Sequence, residues 1–576
     1  MNADRLLALY ERIADAPDAV GRLRRFVLDL AVRGKLVPQD PADEPASELL
    51  KRIEKEKARL VKAGQISKST ISQSAVPSDL SFDIPEHWKP TKVESVLDEL
   101  QTGPFGSSLH QSDYRAGGTP VVNPASIQDE RIVPIEKMAV DAATLERLAS
   151  FKLRLGDIVM ARRGEMGRCA VVTEREAGWL CGTGSLILRP SRLIFADFLV
   201  LLIGSPFGRQ YLGGSAVGTT MQNLNQSILL NLPFGLPPLA EQHRIVAKVD
   251  ELMALCDQLE AARAEREAVR DRLAVASLAR LNAPDPETFT DDARFALNAL
   301  PALTMRPDQI KQLRQTILNL AVRGKLVPQD PADEPALELL ARFVAQVSNG
   351  RSGRDWTAGM SGSDNEMFES PGGWAWTRIA NTCERVTVGY VGPMKDQYVD
   401  DGVPFLRSQN VRANRFREDG LIYISRGFHR SIIKSALVPG DVVVVRSGNV
   451  GTACVIPPSV PEANCSDLVV VQRPKCVLPH FLCFYLNSLA ALHVEAGSVG
   501  VALTHFNTKS VATMPIALPP LAEQHRIVAK VDDLMALCDQ LEASLTTGDA
   551  TRRRLLDALL CDALAPAETH VIEAAA

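Results

Sequence analysis

Residues Leu236–Ala261 read LPPLAEQHRIVAKVDELMALCDQLEA, and residues Leu518–Ala543 repeat that stretch with one change, Glu251 to Asp533. We call the two copies the B repeat. Each copy opens with a proline pair and an acidic residue, which is typical of a helix N-terminus. Apolar residues and a cysteine then recur at spacings of four and three, the seam of a coiled coil. The seams are Ile245, Val249, Leu252, Cys256 and Leu259, and Ile527, Val531, Leu534, Cys538 and Leu541.

The first B repeat continues with helical composition to about Leu281. Roughly 44 residues at about 1.5 Å each give a helix of roughly 65 Å. Gly548 interrupts the second copy, so the helix is predicted less firmly beyond that residue.

A second repeat, the A repeat, has the sequence LAVRGKLVPQDPADEPASELL at Leu30–Leu50. It returns at Leu320–Leu340 with one change in twenty-one residues. Its apolar spacing predicts a helix that ends at Gly34 and a second helix near Ala46–Lys62. The chain order is A, segment, B, A, segment, B, so equivalent packing in both halves requires the two termini to meet.

The segments between the repeats share only a sparse skeleton of turn and core residues. Gly156-Asp157 with Gly164 and Gly167 matches Gly440-Asp441 with Gly448 and Gly451 at an offset of 284. One interpretation is a recent duplication whose halves drifted unevenly. Sequence drift alone should not leave the repeats nearly identical while it changes most residues of the segments between them. The pattern therefore favours two variants of one fold with different surfaces.

The predicted fold class is α+β, with two mixed α/β lobes held apart by a long antiparallel coiled-coil helix pair in a pseudo-two-fold internal repeat. Short β-rich runs alternate with turns in both segments, and helices are expected near 195–204 and 480–491. The predicted parts are an N-terminal helical repeat and linker (1–79), a first lobe (80–235), a central helical region (236–346), a linker (347–366), a second lobe (367–517) and a C-terminal helical region (518–576).

Composition excludes several classes of protein. The 576 residues are 46% hydrophobic and 23% charged, as in packed domains, and their net charge is −5. The longest apolar stretch is too short to span a bilayer, and the acidic N-terminus is unlike a signal peptide. Ten cysteines without a CxxC pair indicate buried thiols in a reducing compartment. We therefore predict a cytoplasmic protein without a membrane partner.

Catalytic signatures are missing from the sequence. It has no GxxxxGK[ST] loop for phosphates and no GxGxxG motif after a strand. The run Asn123–Ser126 lacks the second proline and the aromatic residue of an amino-methyltransferase loop, so a structural turn is the better interpretation. His243 and His525 have no metal-ligand partner at suitable spacing, which predicts no metal site.

Basic clusters do occur in the variable segments, at 147–175 and 407–434. Polar residues interleave the second cluster, and such side chains read base edges while arginines also hold phosphates. A basic run is usually a solvated face. Its presence in both segments of an acidic chain instead favours contact with DNA.

Taken together, these features resemble the specificity subunits of type I restriction–modification enzymes. The resemblance rests on the duplicated LPPLAEQHRIV and LAVRGKLVPQDPxDEPAxELL stretches and on one motif in each lobe. That motif is Gly156-Asp157 followed by Arg162-Arg163-Gly164-x-x-Gly167, matched by Gly440-Asp441 followed by Arg446-x-Gly448-x-x-Gly451. The resemblance covers almost the whole chain, and the order and duplication of the motifs are highly specific.

The resemblance implies a non-catalytic DNA-binding subunit. Each lobe would be a target-recognition domain for one half of a split double-stranded DNA sequence, and the helices would set the spacer. Two methyltransferase subunits would dock on the helical regions, and two motor-nuclease subunits can join in this family. S-adenosylmethionine, ATP and Mg would be expected on the partner subunits only, so no cofactor is predicted on this chain.

Candidate site residues follow from the resemblance and the basic clusters. For DNA contact they are Arg162, Arg163, Arg407, Gln409, Asn410, Arg412, Arg415 and Arg446, with Asn225 and Asn507 as weaker candidates. For Arg162 and Arg446, orientation of the glycine turn is an equal alternative. For partner binding the candidates are Glu241, Gln242, His243, Arg244, Glu523, Gln524, His525 and Arg526, with helix capping and intramolecular pairing as the alternatives.

Two other functions stay open at this point. A bivalent protein-binding scaffold would have the same duplicated architecture without affinity for DNA. An autonomous methyltransferase is disfavoured by the missing motifs.

Overall fold

The computed structural model describes residues 15–66, 80–105, 108–214, 224–283, 285, 287–348, 367–394, 396–496 and 507–564. The chain forms two compact units: Met1–Glu265 together with Asp549–Ala576, and Arg266–Gly548. Most of the predicted linkers, 67–79 and 349–366, lies outside the described residues. The bounds of the six predicted parts stay a prediction.

The helices of the first A repeat form as predicted, α1 at Ala19–Val32 and α2 at Ala46–Lys62. Gly34 ends α1 in the left-handed region, at φ 68°, and the Lys35 amide donates to the Leu30 carbonyl. A side chain at Gly34 would collide with Pro85 and Trp88. Glycine is therefore required here by both backbone geometry and packing.

The first lobe contains eleven strands and five helices among the described residues. They are β1 Lys89–Lys92, α3 Val93–Val96, β2 Leu97–Thr102, β3 Thr119–Val122, β4 Ile127–Gln128, β5 Arg131–Ile132, β6 Ala139–Val140, α4 Ala142–Arg147, β7 Ile158–Ala161, β8 Cys169–Val171, β9 Leu180–Cys181, β10 Ser185–Pro190, α5 Ala196–Gly204, α6 Pro206–Gly214, α7 Gln226–Leu230 and β11 Pro233–Leu236.

The central helical region follows with α8 Leu239–Asn282, α9 Phe289–Asn298, α10 Leu300–Leu303, α11 Pro307–Val322 and α12 Ala336–Ser348. The second lobe contains β12 Ala375–Arg378, β13 Cys383–Val388, β14 Tyr398–Val399, β15 Val403–Leu406, β16 Val411–Arg412, β17 Arg415–Phe416, β18 Ile422–Ile424, α13 Arg426–Ser431, β19 Val442–Val445, β20 Ala453–Val455, β21 Asn464–Cys465, β22 Leu468–Pro474, α14 Pro479–Ala496, α15 Thr508–Thr513 and β23 Pro515–Leu518. The last helix is α16 Leu521–Leu564.

The same four-stranded antiparallel sheet lies at the centre of both lobes. Its order is β2-β10-β7-β8 in the first lobe and β13-β22-β19-β20 in the second. A smaller sheet lies beside it, of order β6-β3-β9 in the first lobe and β14-β18-β15-β21 in the second. In this sheet β3 pairs in parallel with β9, and β15 pairs in parallel with β21. The predicted mixture of helix and sheet in each lobe is confirmed.

Both faces of the central sheet are covered, which explains its continuously apolar strands. In β7, Ile158 and Met160 lie in a core with α5, whereas Val159 and Ala161 lie in a separate core on the other face. The four valines of β19 alternate between two cores in the same way.

The two long helices have 44 residues each, the length predicted for the first of them. Helix α16 continues through Gly548, contrary to the expected interruption. Beyond it, Leu556, Leu559 and Leu560 are buried, and the burial of this apolar face outweighs the low helix propensity of one glycine.

The first seam residues of each long helix pack against the A repeat of the same unit. Ile245 and Val249 share a core with Val27 and Ala31 of α1, and Ile527 and Val531 share a core with α11. Arg24 donates to Asp257 and Glu260, and Arg314 makes the equivalent pairs with Asp539 and Glu542. The repeats therefore owe their similarity in part to matched packing within each unit.

The predicted meeting of the chain's two ends is confirmed within the first unit. Ala16 and Ala19 share a core with Leu556, Leu559 and Leu560 near the end of α16. Arg22 pairs with Asp557. Among the described residues, none of the helices is both long and apolar enough to span a membrane.

Candidate nucleic-acid interface

Three segments of the first lobe converge at one end of its central sheet. Ala161, the last residue of β7, pairs with Ser185 of β10, and Thr102, the last residue of β2, pairs with Leu186 of β10. Strands β7 and β2 therefore end together where β10 begins. The segment 182–185 joins them. The Gly103 amide donates to Ser185 (2.9 Å), the Arg162 amide to Gly184 (2.8 Å) and the Gly182 amide to Val122 (3.0 Å).

The second lobe has the equivalent arrangement around 465–468. The Gly389 amide donates to the Leu468 carbonyl (2.8 Å), and the Ser466 amide donates to Leu406 (2.9 Å). Arg446 pairs with Asp467. We call this end of each lobe the loop edge, made of 103–105, 123–132, 162–163 and 182–185 in the first lobe and 389–391, 407–416, 446 and 465–468 in the second.

A tight turn followed by a two-residue hairpin carries most of the polar side chains of the loop edge. The turn is Pro124–Ser126 before β4–β5 and Ser408–Asn410 before β16–β17. Arg412 and Arg415 are cross-strand partners, and both are exposed. Neither is within ion-pair distance of a carboxylate in the described part of the chain. Two uncompensated arginines on one hairpin suit contact with phosphates or guanine.

Arg407 and Gln409 extend the same surface. Both donate to the Gly420 carbonyl, at 3.4 and 3.0 Å, so their side chains converge. Gln409 is exposed, and its amide retains further hydrogen-bonding capacity. Four of the eight predicted DNA contacts therefore lie together on residues 407–416.

Asn410 does not belong to that surface, although the sequence placed it among the DNA-contact candidates. Its side chain is fully buried, accepts from the Arg407 amide (3.0 Å) and donates to the Arg417 carbonyl (3.1 Å). It holds the turn together. Ser126, its counterpart in the first lobe, is buried as well.

Arg162, Arg163 and Arg446 lie on a different loop of the same edge. Arg162 is half-buried and donates from Nε to the Leu224 carbonyl (3.2 Å), which supports the alternative of a role in positioning the loop. Arg163 is exposed. The ion pair with Asp467 offsets the charge of Arg446, whose side chain is 33% exposed.

The weaker candidates Asn225 and Asn507 cap helices. Asn225 Oδ1 accepts from the Ser227 amide at the start of α7, and Asn507 Oδ1 accepts from the Ser510 amide at the start of α15. Capping accounts for both residues.

The predicted basic cluster 147–175 is not one continuous positive patch. Arg147 pairs with Asp113, Lys152 with Glu146 and Arg175 with Glu176. Sequence proximity overstated the local charge because the neutralising carboxylates come from other segments or from adjacent positions.

Sequence reasoning missed two residues of the first lobe. Gln128 ends β4 and Arg131 begins β5, so they occupy the positions of Arg412 and Arg415. Both are exposed. The offset of 284 between the lobes, applied to Arg412 and Arg415, would have found them.

The predicted partner-binding residues fall into two groups. Glu241, Gln242, Glu523 and Gln524 are buried, as the alternative of intramolecular pairing predicts. Gln242 bridges the Phe195 amide and the Pro237 carbonyl, both at 3.0 Å. Glu523 accepts from Trp374 Nε1 (3.0 Å) and Gln329 (2.9 Å), and burial raises the pKa of both glutamates. Intramolecular pairing explains this part of the B repeat.

The other four residues reach the surface. Arg244 binds Asp43 through both guanidinium nitrogens (3.2 and 2.5 Å), and Arg526 binds Asp333 likewise (3.3 and 2.7 Å). Each arginine joins a B repeat to an A repeat and remains 37% exposed. His243 and His525 are exposed, and His243 stacks on Phe195. Among the described residues, no cluster of three metal-ligating side chains occurs.

Comparison with known proteins gives a consistent result. The family described as "Type I restriction modification DNA specificity domain" matches residues 85–266 and 393–547. The chain is 30% identical to the type I restriction enzyme EcoEI specificity subunit of Escherichia coli, over 95% of this chain and 94% of that protein. It is 29% identical to the EcoAI specificity subunit of the same species, over 94% and 93%.

A solved structure, the HsdS subunit from Thermoanaerobacter tengcongensis, aligns with a TM-score of 0.43 and 20% identity, over 84% of this chain and 99% of that one. A chain from a structural study of the assembly of a type I R-M system aligns with a TM-score of 0.47 and 19% identity, over 85% and 99%.

Proposed function

Because this chain belongs to the family of type I restriction–modification DNA specificity subunits, we infer that it selects the DNA sequence on which such a complex acts. The runner-up, a protein-binding scaffold without DNA specificity, is not favoured.

We propose that each lobe reads one half of a bipartite target through its loop edge. The observation that carries this proposal is that the same backbone presents different side chains in the two lobes. At equivalent turn and hairpin positions the second lobe has Arg407, Gln409 and Arg412, and the first lobe has Asn123, Ala125 and Gln128. Different donor and acceptor patterns on one scaffold select different base pairs.

The long helices suit a fixed separation between half-sites. We propose that α8 and α16 form an antiparallel coiled-coil pair and that the molecule has pseudo-two-fold symmetry. A helix of 44 residues is about 66 Å long. Half-sites about one helical turn of DNA apart, roughly 34–36 Å, or further, are within the reach of such a spacer.

Catalysis is assigned to partner subunits. Specificity subunits are generally non-catalytic, and this sequence has neither a P-loop nor an amino-methyltransferase motif. We propose that two methyltransferase subunits, and two motor-nuclease subunits where they are present, supply the chemistry with S-adenosylmethionine, ATP and Mg. The exposed residues His243, Arg244, His525 and Arg526 remain our candidates for the methyltransferase contact.

The proposed function is tested by mapping the methylated bases of the genome. Single-molecule sequencing of the native genome, with and without this gene, should show adenine methylation lost at one bipartite motif with a fixed gap. If no motif loses methylation although the partner methyltransferase is expressed, the proposed function is wrong. In that case, a pull-down that recovers two unrelated proteins and no methyltransferase would support the scaffold.

A further inference from the structure

Each loop edge carries one strongly exposed apolar side chain at an equivalent position. Phe105 is 66% exposed and Val391 is 65% exposed. Each lies two residues after the glycine that follows the edge strand, Gly103 after β2 and Gly389 after β13. Single exposed apolar residues are ordinary, but two at matched positions in lobes that otherwise diverge need an explanation.

The backbone holds these side chains in place although they face solvent. The Phe105 carbonyl accepts from the amides of Ser108 (2.8 Å) and Leu109 (3.2 Å), and Leu109 is buried. In the second lobe, the Tyr390 amide next to Val391 donates to the Cys465 carbonyl (2.8 Å). An exposed side chain on an anchored backbone loses little entropy when a partner covers it.

Both glycines are fixed by close packing at the same place. A side chain at Gly103 would collide with the Gly182 carbonyl, and one at Gly389 would collide with the Ser466 carbonyl. These carbonyls belong to the segments 182–185 and 465–468. The first segment also accepts from the Arg162 amide, and both segments accept from the glycine that follows the edge strand. The two apolar residues therefore occur where the segments of the loop edge converge.

The charge of the surroundings indicates what covers these residues. The loop edge of Phe105 contains Arg131, Arg162 and Arg163 against Asp129 and Glu130, and the loop edge of Val391 contains Arg407, Arg412, Arg415 and Arg446 against Asp467. An excess of arginines on the same edge as an exposed apolar residue complements a nucleic acid, whose phosphates flank the apolar faces and methyl groups of its bases.

We propose that Phe105 and Val391 are base-contacting, specificity-determining residues of the two lobes. Each touches apolar base surface, either a thymine methyl group or the face of a partly unstacked base, while the arginines hold the backbone. Phenylalanine and valine differ in size, so the two half-sites receive different contacts. This inference rests on the proposed function.

The variants Phe105→Ala and Val391→Ala test it, with Leu155→Ala as the matched control. Leu155 is 64% exposed and precedes β7, at the opposite end of the sheet from Arg162. Each full-length variant is assembled with the methyltransferase subunits. Binding to the target duplex is then measured between 50 and 200 mM salt, and base preference is read from a library randomised in both half-sites.

Phe105→Ala should lower affinity about tenfold and relax preference at one or two base pairs of one half-site only. Val391→Ala should do the same in the other half-site, and Leu155→Ala should do neither. The slope of log affinity against log salt should not change, since no phosphate contact is removed. Phe105→Leu should recover part of the affinity, and circular dichroism checks that every variant is folded.

Three results would overturn the inference while leaving the proposed function standing. The first is sequence-specific binding by Phe105→Ala and Val391→Ala equal to that of Leu155→Ala. The second is a shallower salt slope, which indicates a phosphate contact. The third is loss of methyltransferase assembly in these variants, which indicates a protein contact. Absence of sequence preference in the unaltered complex would instead contradict the proposed function itself.

Discussion

Among single residues, one arginine at the same position of both hairpins allows the contribution of charge to DNA affinity to be measured apart from base specificity. Arg415 and Arg131 occupy equivalent positions, are exposed and have no carboxylate within ion-pair distance in the described chain. A phosphate contact contributes to affinity through counterion release and so to its salt dependence.

We therefore expect Arg415→Ala and Arg131→Ala each to weaken binding and to reduce the slope of log affinity against log salt by about 1. A salt titration of the assembled complex by fluorescence anisotropy measures this. Arg175→Ala is the control, because Arg175 pairs with Glu176 in the same lobe as Arg131. An unchanged slope together with altered base preference would show that the hairpin arginines read bases instead.

Lys57 is a buried lysine in α2, the helix that continues the first A repeat. It is 6% exposed and donates to the Glu94 carbonyl (2.8 Å), and burial lowers its pKa from 10.5 to about 8. The second A repeat continues with Val347 at this position. At neutral pH the folded state carries a desolvated ammonium group, and this penalty fades as pH rises from about 8 towards 10.5.

We expect Lys57→Val to be more stable than the unaltered protein at pH 7 and to lose about 2 kcal/mol of that advantage by pH 10. The reason is that the unfolded state binds more protons than the folded state in this window, so the stability of the unaltered protein rises with pH. Urea unfolding at both pH values measures the difference. Lys55→Val, at an exposed position of the same helix, is the control and should not reproduce this change with pH.

At the scale of elements, packing decides where the long helices continue. Gly548 lies within α16 and has no positive φ, so alanine can adopt its backbone conformation without strain. Glycine in a helix interior costs about 1 kcal/mol relative to alanine.

Gly548→Ala should therefore stabilise the protein by about 1 kcal/mol and raise its melting temperature. Differential scanning calorimetry checks this, with Gly34→Ala as the opposite case. Gly34 has a positive φ and contacts Pro85, so its substitution should destabilise. A destabilised Gly548→Ala would mean that α16 needs the flexibility of glycine at this point.

At the scale of the whole molecule, the nearly identical repeats make the lobes interchangeable in principle. Each lobe begins after an A repeat and ends at a B repeat. The first and last strands of a lobe pair with each other in an equivalent two-stranded sheet, β1-β11 in the first lobe and β12-β23 in the second. The contacts that hold a lobe are therefore alike in both halves.

A chain in which residues 367–517 replace residues 80–235 should fold and should recognise a symmetric target. That target would contain the second half-site twice, in inverted orientation, with the original gap. Methylation sequencing of cells that express this chain with its methyltransferase measures the result. Retention of the original asymmetric target would contradict the assignment of one half-site to each lobe.

The duplicated architecture, the long helices, the α/β content of the lobes and the family could all be predicted from the sequence. These follow from local periodicity, turn residues and internal identity, which are all written along the chain. The sequence also placed Arg407, Gln409, Arg412 and Arg415 in one basic stretch, and the structure brings them onto one surface.

Which polar residues are accessible could not be predicted without the folded chain. Asn410 and Gln242 look like binding residues in the sequence, but they are buried because they satisfy backbone groups from other segments. Arg147 looks like part of a positive patch until Asp113 pairs with it. Phe105 gave no signal because exposure is a property of the packed chain. Burial and charge compensation depend on residues far apart in sequence, and local pattern does not contain them.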